Sequence, residues 1–103
     1  MTQFLVQKFK FVDFEPSAGV ARRSMEKLNR IFGESPSDSS TRAVLRKTRA
    51  GFEGSLQVRS SVGSFIANVV GEDPIEVLEN LSQNVRSQLR TWKKQRLLTQ
   101  ELP

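Results

Sequence analysis

Hydrophobic and polar residues alternate at the start of the chain. The segment 4–12 is rich in aromatic and β-branched residues, and within it Phe9 and Phe11 alternate with Lys8 and Lys10. Alternation of this kind is typical of a strand with one buried face. The sequence therefore predicts a first β-strand over residues 4–12.

The hydrophobic spacing then changes to that of a helix. After the segment 13–17, which contains Pro16 and possible capping side chains, apolar and small residues recur at steps of three and four. These residues are Val20, Ala21, Ser24, Met25, Leu28, Ile31 and Phe32. Gly33 is a plausible end of the helix, and the serine-rich segment 34–40 is expected to be a loop.

Three further strands are predicted over residues 41–48, 52–59 and 64–70. The middle one has the clearest pattern, because its apolar residues fall on one face and its polar residues on the other. The two short connections between the strands each contain a glycine, Gly51 and Gly63, which suits antiparallel hairpins.

A second helix follows a strong start signal. Asp73 can cap the free amides of the first turn, and Pro74 takes the first helical position. One apolar stripe then runs along the helix through Ile75, Leu78, Leu81, Val85, Leu89 and Trp92. Because Trp92 is in register with five aliphatic residues, we expect it to pack in the core rather than to stack on a base.

These elements predict an α+β domain of the order β-α-β-β-β-α. We expect a four-stranded, mostly antiparallel sheet with both helices packed on one face and the other face exposed. A chain of 103 residues suits a single domain spanning 1–103. The expected shared core consists of Leu28, Leu56, Val58, Leu78, Leu81, Val85 and Leu89.

Composition narrows the possible functions. The sequence contains no cysteine, histidine or tyrosine, which leaves few groups for catalysis or metal binding. We therefore expect neither an enzyme nor a cofactor or small-molecule substrate. The chain has no long apolar segment and no signal-type start, so we expect a soluble, cytoplasmic protein without membrane contact. A net charge of +5 favours a polyanionic partner.

The positive charge is concentrated on the two helices. The second helix begins with acidic residues and carries a basic stripe through Arg86, Arg90, Lys93 and Lys94, longer than compensation of the helix dipole requires. The first helix carries Arg23, Lys27 and Arg30 at steps of four and three. Together the stripes predict a surface that follows phosphates, although solvated helix faces would have the same pattern.

A third basic cluster, Arg42, Arg46, Lys47 and Arg49, lies on and after the second predicted strand. The sequence does not indicate whether it joins the helical surface. The phenylalanines do not follow the aromatic pattern of an RNA recognition motif, and there is no glycine-rich phosphate loop. Recognition of RNA by backbone and shape is therefore favoured over base stacking or nucleotide hydrolysis.

The last forty residues carry a family resemblance. The segments FIANVVGEDPIEVLENL (65–81) and VRSQLRTWKK (85–94) resemble the ribosome hibernation-promoting factor family, also called the ribosome-associated inhibitor or sigma modulation family. The residues that fit its pattern are Gly71, Asp73, Leu81, Gln88, Leu89 and Lys93. The segments 16–28, 31–32 and 43–45 resemble the first helix and second strand of the family, whereas the basic segment 46–49 departs from it.

The resemblance implies a fold similar to double-stranded RNA-binding domains and a short family form. It also implies a translation inhibitor that occupies the decoding region of the small ribosomal subunit during stress and blocks messenger and transfer RNA. The residues that would face ribosomal RNA are Arg23, Lys27, Arg30, Arg86, Arg90, Lys93, Lys94 and Arg96. Off the ribosome, a monomer is expected.

Two alternatives remain open. The chain could bind a structured RNA other than the ribosome, by shape. It could also be a protein-interaction module that uses the open sheet face, or the strand edge near Lys8 and Lys10, to recruit a partner chain.

Overall fold

The computed structural model describes residues 3–6 and 9–101, with side chains from residue 9 to residue 96. Five strands and two helices follow one another along the chain. They are β1 (Gln3–Val6), β2 (Phe9–Val12), α1 (Ala18–Glu34), β3 (Ser40–Thr48), β4 (Gly51–Ser60), β5 (Gly63–Gly71) and α2 (Pro74–Glu101). The strands form one sheet in chain order, β1-β2-β3-β4-β5.

The sheet is antiparallel except where β2 runs parallel to β3, the two being connected through α1. The predicted α+β class, the order of strands and helices and the mostly antiparallel sheet are confirmed. The number of strands differs from the prediction, because the first predicted strand is divided into β1 and β2. Val6 pairs with Phe9, so the chain reverses between them, and Lys8 lies outside the described residues.

The reversal supplies β1 with hydrogen-bond partners. β3 pairs with one edge of β2, from Ala43 to Arg46, so β1 cannot occupy that edge. By folding back, the backbone of β1 pairs along the other edge of β2 instead. Both segments are rich in aromatic and β-branched residues, so the sequence pattern predicts one strand rather than two.

Both helices pack on one face of the sheet, as predicted. The residues of the shared core are Phe9, Phe11, Leu28, Ile31, Ala43, Leu45, Leu56, Val58, Phe65, Ala67, Val77, Leu78, Leu81, Val85 and Leu89. All seven predicted core residues are among them. α2 lies close above β4 at Gly54, where an added Cβ would come within 2.5 Å of Leu81 Cδ1 and 2.7 Å of Val77 Cγ1. A glycine at this position therefore lets the helix lie close to the strand.

Side chains at the start of each helix satisfy free amides. The Ser17 hydroxyl accepts a hydrogen bond of 3.2 Å from the Val20 N–H, and the Asp73 carboxylate accepts one of 3.1 Å from the Ile75 N–H. The predicted cap at Asp73, with Pro74 as the first helical residue, is confirmed. These caps fix where each helix begins, and the apolar stripe of each helix determines which face meets the sheet.

Candidate nucleic-acid interface

Helices α1 and α2 lie side by side and are joined by two groups of ion pairs. Lys27 Nζ lies 3.0 Å from a carboxylate oxygen of Glu79, and Arg86 Nε lies 3.0 Å from a carboxylate oxygen of Glu34. The two pairs are seven residues apart on both helices, which is two turns. The helices therefore run in the same direction along this contact, and their basic stripes are adjacent.

Arg86 makes the most extensive of these contacts. Its Nε and one terminal amino group donate two hydrogen bonds, of 3.0 and 3.1 Å, to the two carboxylate oxygens of Glu34. The side chains are only 20% and 29% exposed. The hydrogen bond from Arg86 lowers the pKa of Glu34, against the opposing effect of burial, and the pair raises the pKa of Arg86. Arg86 is thus held by a carboxylate between the helices, whereas the sequence predicted an outward-facing cation.

A second carboxylate binds two of the predicted cations on α1. Glu79 lies 3.0 Å from Lys27 and 3.6 Å from Arg23, whose side chains are 25% and 57% exposed. One negative charge therefore offsets part of the positive charge of the α1 stripe. Lys27 is the more covered of the two and is expected to contribute less to an external partner than Arg23.

The other five predicted residues are exposed and have no carboxylate partner among the described side chains. They are Arg30, Arg90, Lys93, Lys94 and Arg96. Arg30 on α1 and Lys93 on α2 both lie close enough to Glu34 to help lower its pKa. The stripes of the two helices therefore meet around Glu34. We call Arg30, Arg90, Lys93, Lys94 and Arg96 the helical cations.

Trp92 lies at the end of this surface. It is half-buried against the core, with its ring centroid 6.1 Å from that of Phe65 in an edge arrangement, and Arg96 lies 5.8 Å from its centroid on the ring face. Trp92 thus packs against the core as expected, but as a half-buried residue at its edge. A groove of about 490 Å³ runs past its outer edge, between α2 and the residues Gly33–Ser37, and Lys93 and Arg96 also line it.

Two residues of the third basic cluster lie away from the helical surface. Arg42 and Arg46 lie on the sheet face opposite the helices, since they alternate along β3 with the buried residues Ala43 and Leu45. Arg46 is paired there with Glu53 across the strands at 2.9 Å. Cation clusters therefore lie on both sides of the domain.

The edges of the sheet were not predictable from the sequence. Lys10 pairs with Leu5 on one side and Val44 on the other, so β2 is an interior strand and the expected interaction edge near Lys10 is wrong. At the opposite edge, Gln88 of α2 accepts a hydrogen bond from the Ile66 N–H at 3.3 Å and donates one to the Ile66 carbonyl at 2.8 Å. Gln88 thus takes the place of a neighbouring strand at that point of β5.

The described residues meet the requirements of neither a metal site nor a membrane-spanning helix. Among the described residues, no three acidic side chains lie close enough together to hold a metal ion. None of the helices, over the residues described, is long and apolar enough to cross a membrane.

The fold is found in solved structures although the sequence is distant from known families. No family model matches the chain, and no curated protein matches it in sequence. A ribosomal subunit interface protein from Coxiella burnetii is 15% identical, with a TM-score of 0.67, over 84% of this chain and 97% of that one. The N-terminal domain of Thermus thermophilus Protein Y is 13% identical, with a TM-score of 0.65, over 80% and 93%. Both structures share the fold of this chain at low sequence identity, so the fold that the sequence resemblance implied is confirmed.

Proposed function

We propose that this protein is a member of the hibernation-promoting factor family that binds the ribosome and inhibits translation. It docks on the small subunit near the decoding region, through ribosomal RNA, and blocks the binding of messenger and transfer RNA under stress. It acts by occupying this region and catalyses no reaction. Two independent findings support the proposal: the shared fold of two ribosome-associated proteins, and the exposed helical cations on one side of that fold.

The observation that carries most weight is the division of the predicted cations into two groups. Arg86 is engaged by Glu34, and Lys27 and Arg23 share Glu79. The helical cations form no ion pair with a carboxylate in the described structure, so their side chains are available to contact phosphate groups. A contact between an arginine or lysine and a phosphate releases condensed counterions, which gives binding a steep dependence on salt. The helical cations would therefore supply most of that dependence.

The test is the salt dependence of binding to purified small subunits. Each phosphate contact contributes roughly 0.7 to 0.9 to the slope of log affinity against log salt concentration. The double substitution Arg90→Gln and Lys93→Gln should flatten the slope by about 1.4 to 1.8 and weaken binding at physiological salt. The matched control is Lys47→Gln with Arg49→Gln, which removes the same charge from exposed residues at the end of β3 and just after it, in neither helix.

The control variant should keep a slope close to that of the wild type. If both double variants lose the same slope, positive charge acts without a defined surface and the proposal fails. If the wild type binds isolated RNA hairpins as tightly as it binds small subunits, the target is structured RNA in general rather than the ribosome.

A further inference from the structure

Two arginines are diagonal neighbours on the open face of the sheet. In the pairing of β3 with β4, Arg42 lies opposite Gln57 and Ser40 lies opposite Arg59. Alternation along the strands places all four side chains on the face away from the helices. Diagonal neighbours in an antiparallel pair are about 7 to 8 Å apart. Two arginine side chains at this separation are long enough to contact the same ligand.

A depression of about 320 Å³ lies between these side chains, and every residue that lines it has a polar side chain. The lining residues are Ser40, Thr41, Arg42, Gln57 and Arg59. Both arginines are exposed and have no ion-pair partner among the described residues. Asp38, two residues before Ser40, forms no ion pair with either arginine, and its carboxylate accepts a 3.0 Å hydrogen bond from the Ser61 N–H.

The charge of these two arginines distinguishes them from the rest of the face. Further along the same strands, Arg46 is neutralised by Glu53 at 2.9 Å. Two uncompensated positive charges that face one small depression repel each other, and an anion between them removes that repulsion. The depression is therefore complementary to a compact anion.

We propose that Arg42 and Arg59 form a phosphate site, through which the open sheet face binds a nucleic-acid backbone. The planar guanidinium group matches the oxygens of a phosphate and can bind two of them at once. Ser40 and Gln57 supply further hydrogen-bond donors at the same depression. An acidic peptide fits less well, because protein interfaces depend on buried aromatic or aliphatic anchors and the lining has none.

The site has a structural consequence for how the domain binds nucleic acid. It lies on the side of the sheet opposite the helical cations, with the hydrophobic core between them. A nucleic-acid strand or duplex that contacts α1 and α2 lies on the far side of the domain from this depression and cannot contact both. The protein therefore binds two separate nucleic-acid segments, one on each side.

The experiment follows the Nε–Hε signals of the arginine side chains by NMR during titration of the full chain. The probes are inorganic phosphate, a single-stranded RNA pentamer and an acidic peptide of equal charge. We expect the signals of Arg42 and Arg59 to shift together, with one apparent Kd, while the signal of Arg46 stays in place. The apparent Kd of the pentamer, expressed per phosphate group, should be lower than that of inorganic phosphate. In the variant R42Q, the affinity at Arg59 should fall by about 10-fold or more, because the ligand loses one of two charged contacts.

Three results would overturn the proposal. The signals of Arg42 and Arg59 could shift no more than that of Arg49, which would mean that anions gather around all surface cations without a defined site. The pentamer could bind no more tightly than inorganic phosphate, which would make the depression a site for free phosphate only. The acidic peptide could compete better than the pentamer, which would assign the face to a protein partner. Each readout is local to the sheet face, so failure of small-subunit binding through the helical cations would leave it unchanged.

Discussion

Replacing Arg86 by Gln should destabilise the protein, although the sequence pattern suggests an external cation. The substitution removes two hydrogen bonds to Glu34 and leaves a largely covered carboxylate without its partner. Exposed ion pairs contribute about 0.2 to 1 kcal/mol, whereas breaking a fully buried pair costs about 3 to 5 kcal/mol. With side chains 20% and 29% exposed, the pair lies between these limits, and we expect a loss of about 1 to 2 kcal/mol.

The measurement is a double-mutant cycle in urea, with Arg86→Gln, Glu34→Gln and the double variant. The double variant should be no less stable than R86Q alone, because the unpaired carboxylate is then absent. For a domain of this size, each kcal/mol lowers the Tm by about 4 to 8 °C. Arg90→Gln is the matched control, since Arg90 is exposed, and its loss should stay below about 0.5 kcal/mol.

The same pair predicts a pH dependence of known sign. The pKa of Glu34 is lowered in the folded state, mainly by the hydrogen bond from Arg86, from an ordinary value of 4.5. The pair therefore contributes its full stabilisation when the pH is above the ordinary pKa of Glu34. This stabilisation is lost as the pH falls through the lowered pKa of the folded state. The stability difference between wild type and R86Q should be constant near neutral pH and shrink at acidic pH. A loss below about 0.3 kcal/mol, together with a salt slope flattened by about 0.7 to 0.9, would show that Arg86 binds phosphate instead.

Three other substitutions test the packing. Leu89→Ala should cost about 2 to 5 kcal/mol in a denaturant titration, because Leu89 is fully buried, and a loss under 0.5 kcal/mol would contradict its place in the core. Gly54→Ala should cost about 1 to 3 kcal/mol, because the new methyl group meets Val77 and Leu81, and unchanged stability would mean that α2 lies farther from β4. Gln88→Ala should promote concentration-dependent self-association by opening the β5 edge at Ile66, detectable by sedimentation velocity; a variant as monomeric as the wild type would refute this role of Gln88.

The fold was predictable where local patterns determine it. The apolar stripe of α2 and the cap at Asp73 fix the start and the buried face of that helix. The alternation in β4 does the same for the sheet, because adjacent residues point to opposite faces. These features depend on neighbours along the chain, and the structure agrees with each of them.

Features that depend on distant pairings were not predictable. Arg86 and Glu34 are 52 residues apart, and their contact depends on how the two helices align, which no local pattern reveals. The depression between Arg42 and Arg59 likewise depends on strand register, since a shift of one residue would place one arginine on the other face. The division of the first predicted strand into β1 and β2 is hidden because both segments are rich in aromatic and β-branched residues.

For the candidate interface, sequence spacing identified the cations but could not distinguish free charges from paired ones. The stripe residues Arg86 and Arg90 are one turn apart and of the same type, yet only Arg86 meets a carboxylate. That difference arises from the position of Glu34 at the end of α1. Spacing therefore predicts where positive charge gathers, and the tertiary structure determines which charges can bind phosphate.

The central claim is that this protein occupies the small ribosomal subunit where messenger and transfer RNA bind. The most direct measurement is a sucrose-gradient profile of the protein with separated ribosomal subunits at physiological salt, repeated with messenger RNA and transfer RNA prebound. We expect the protein to co-sediment with the small subunit alone, at one molecule per subunit, and to be excluded by the prebound RNAs. Co-sedimentation with neither subunit, or equal binding to small subunits with and without the prebound RNAs, would contradict the account.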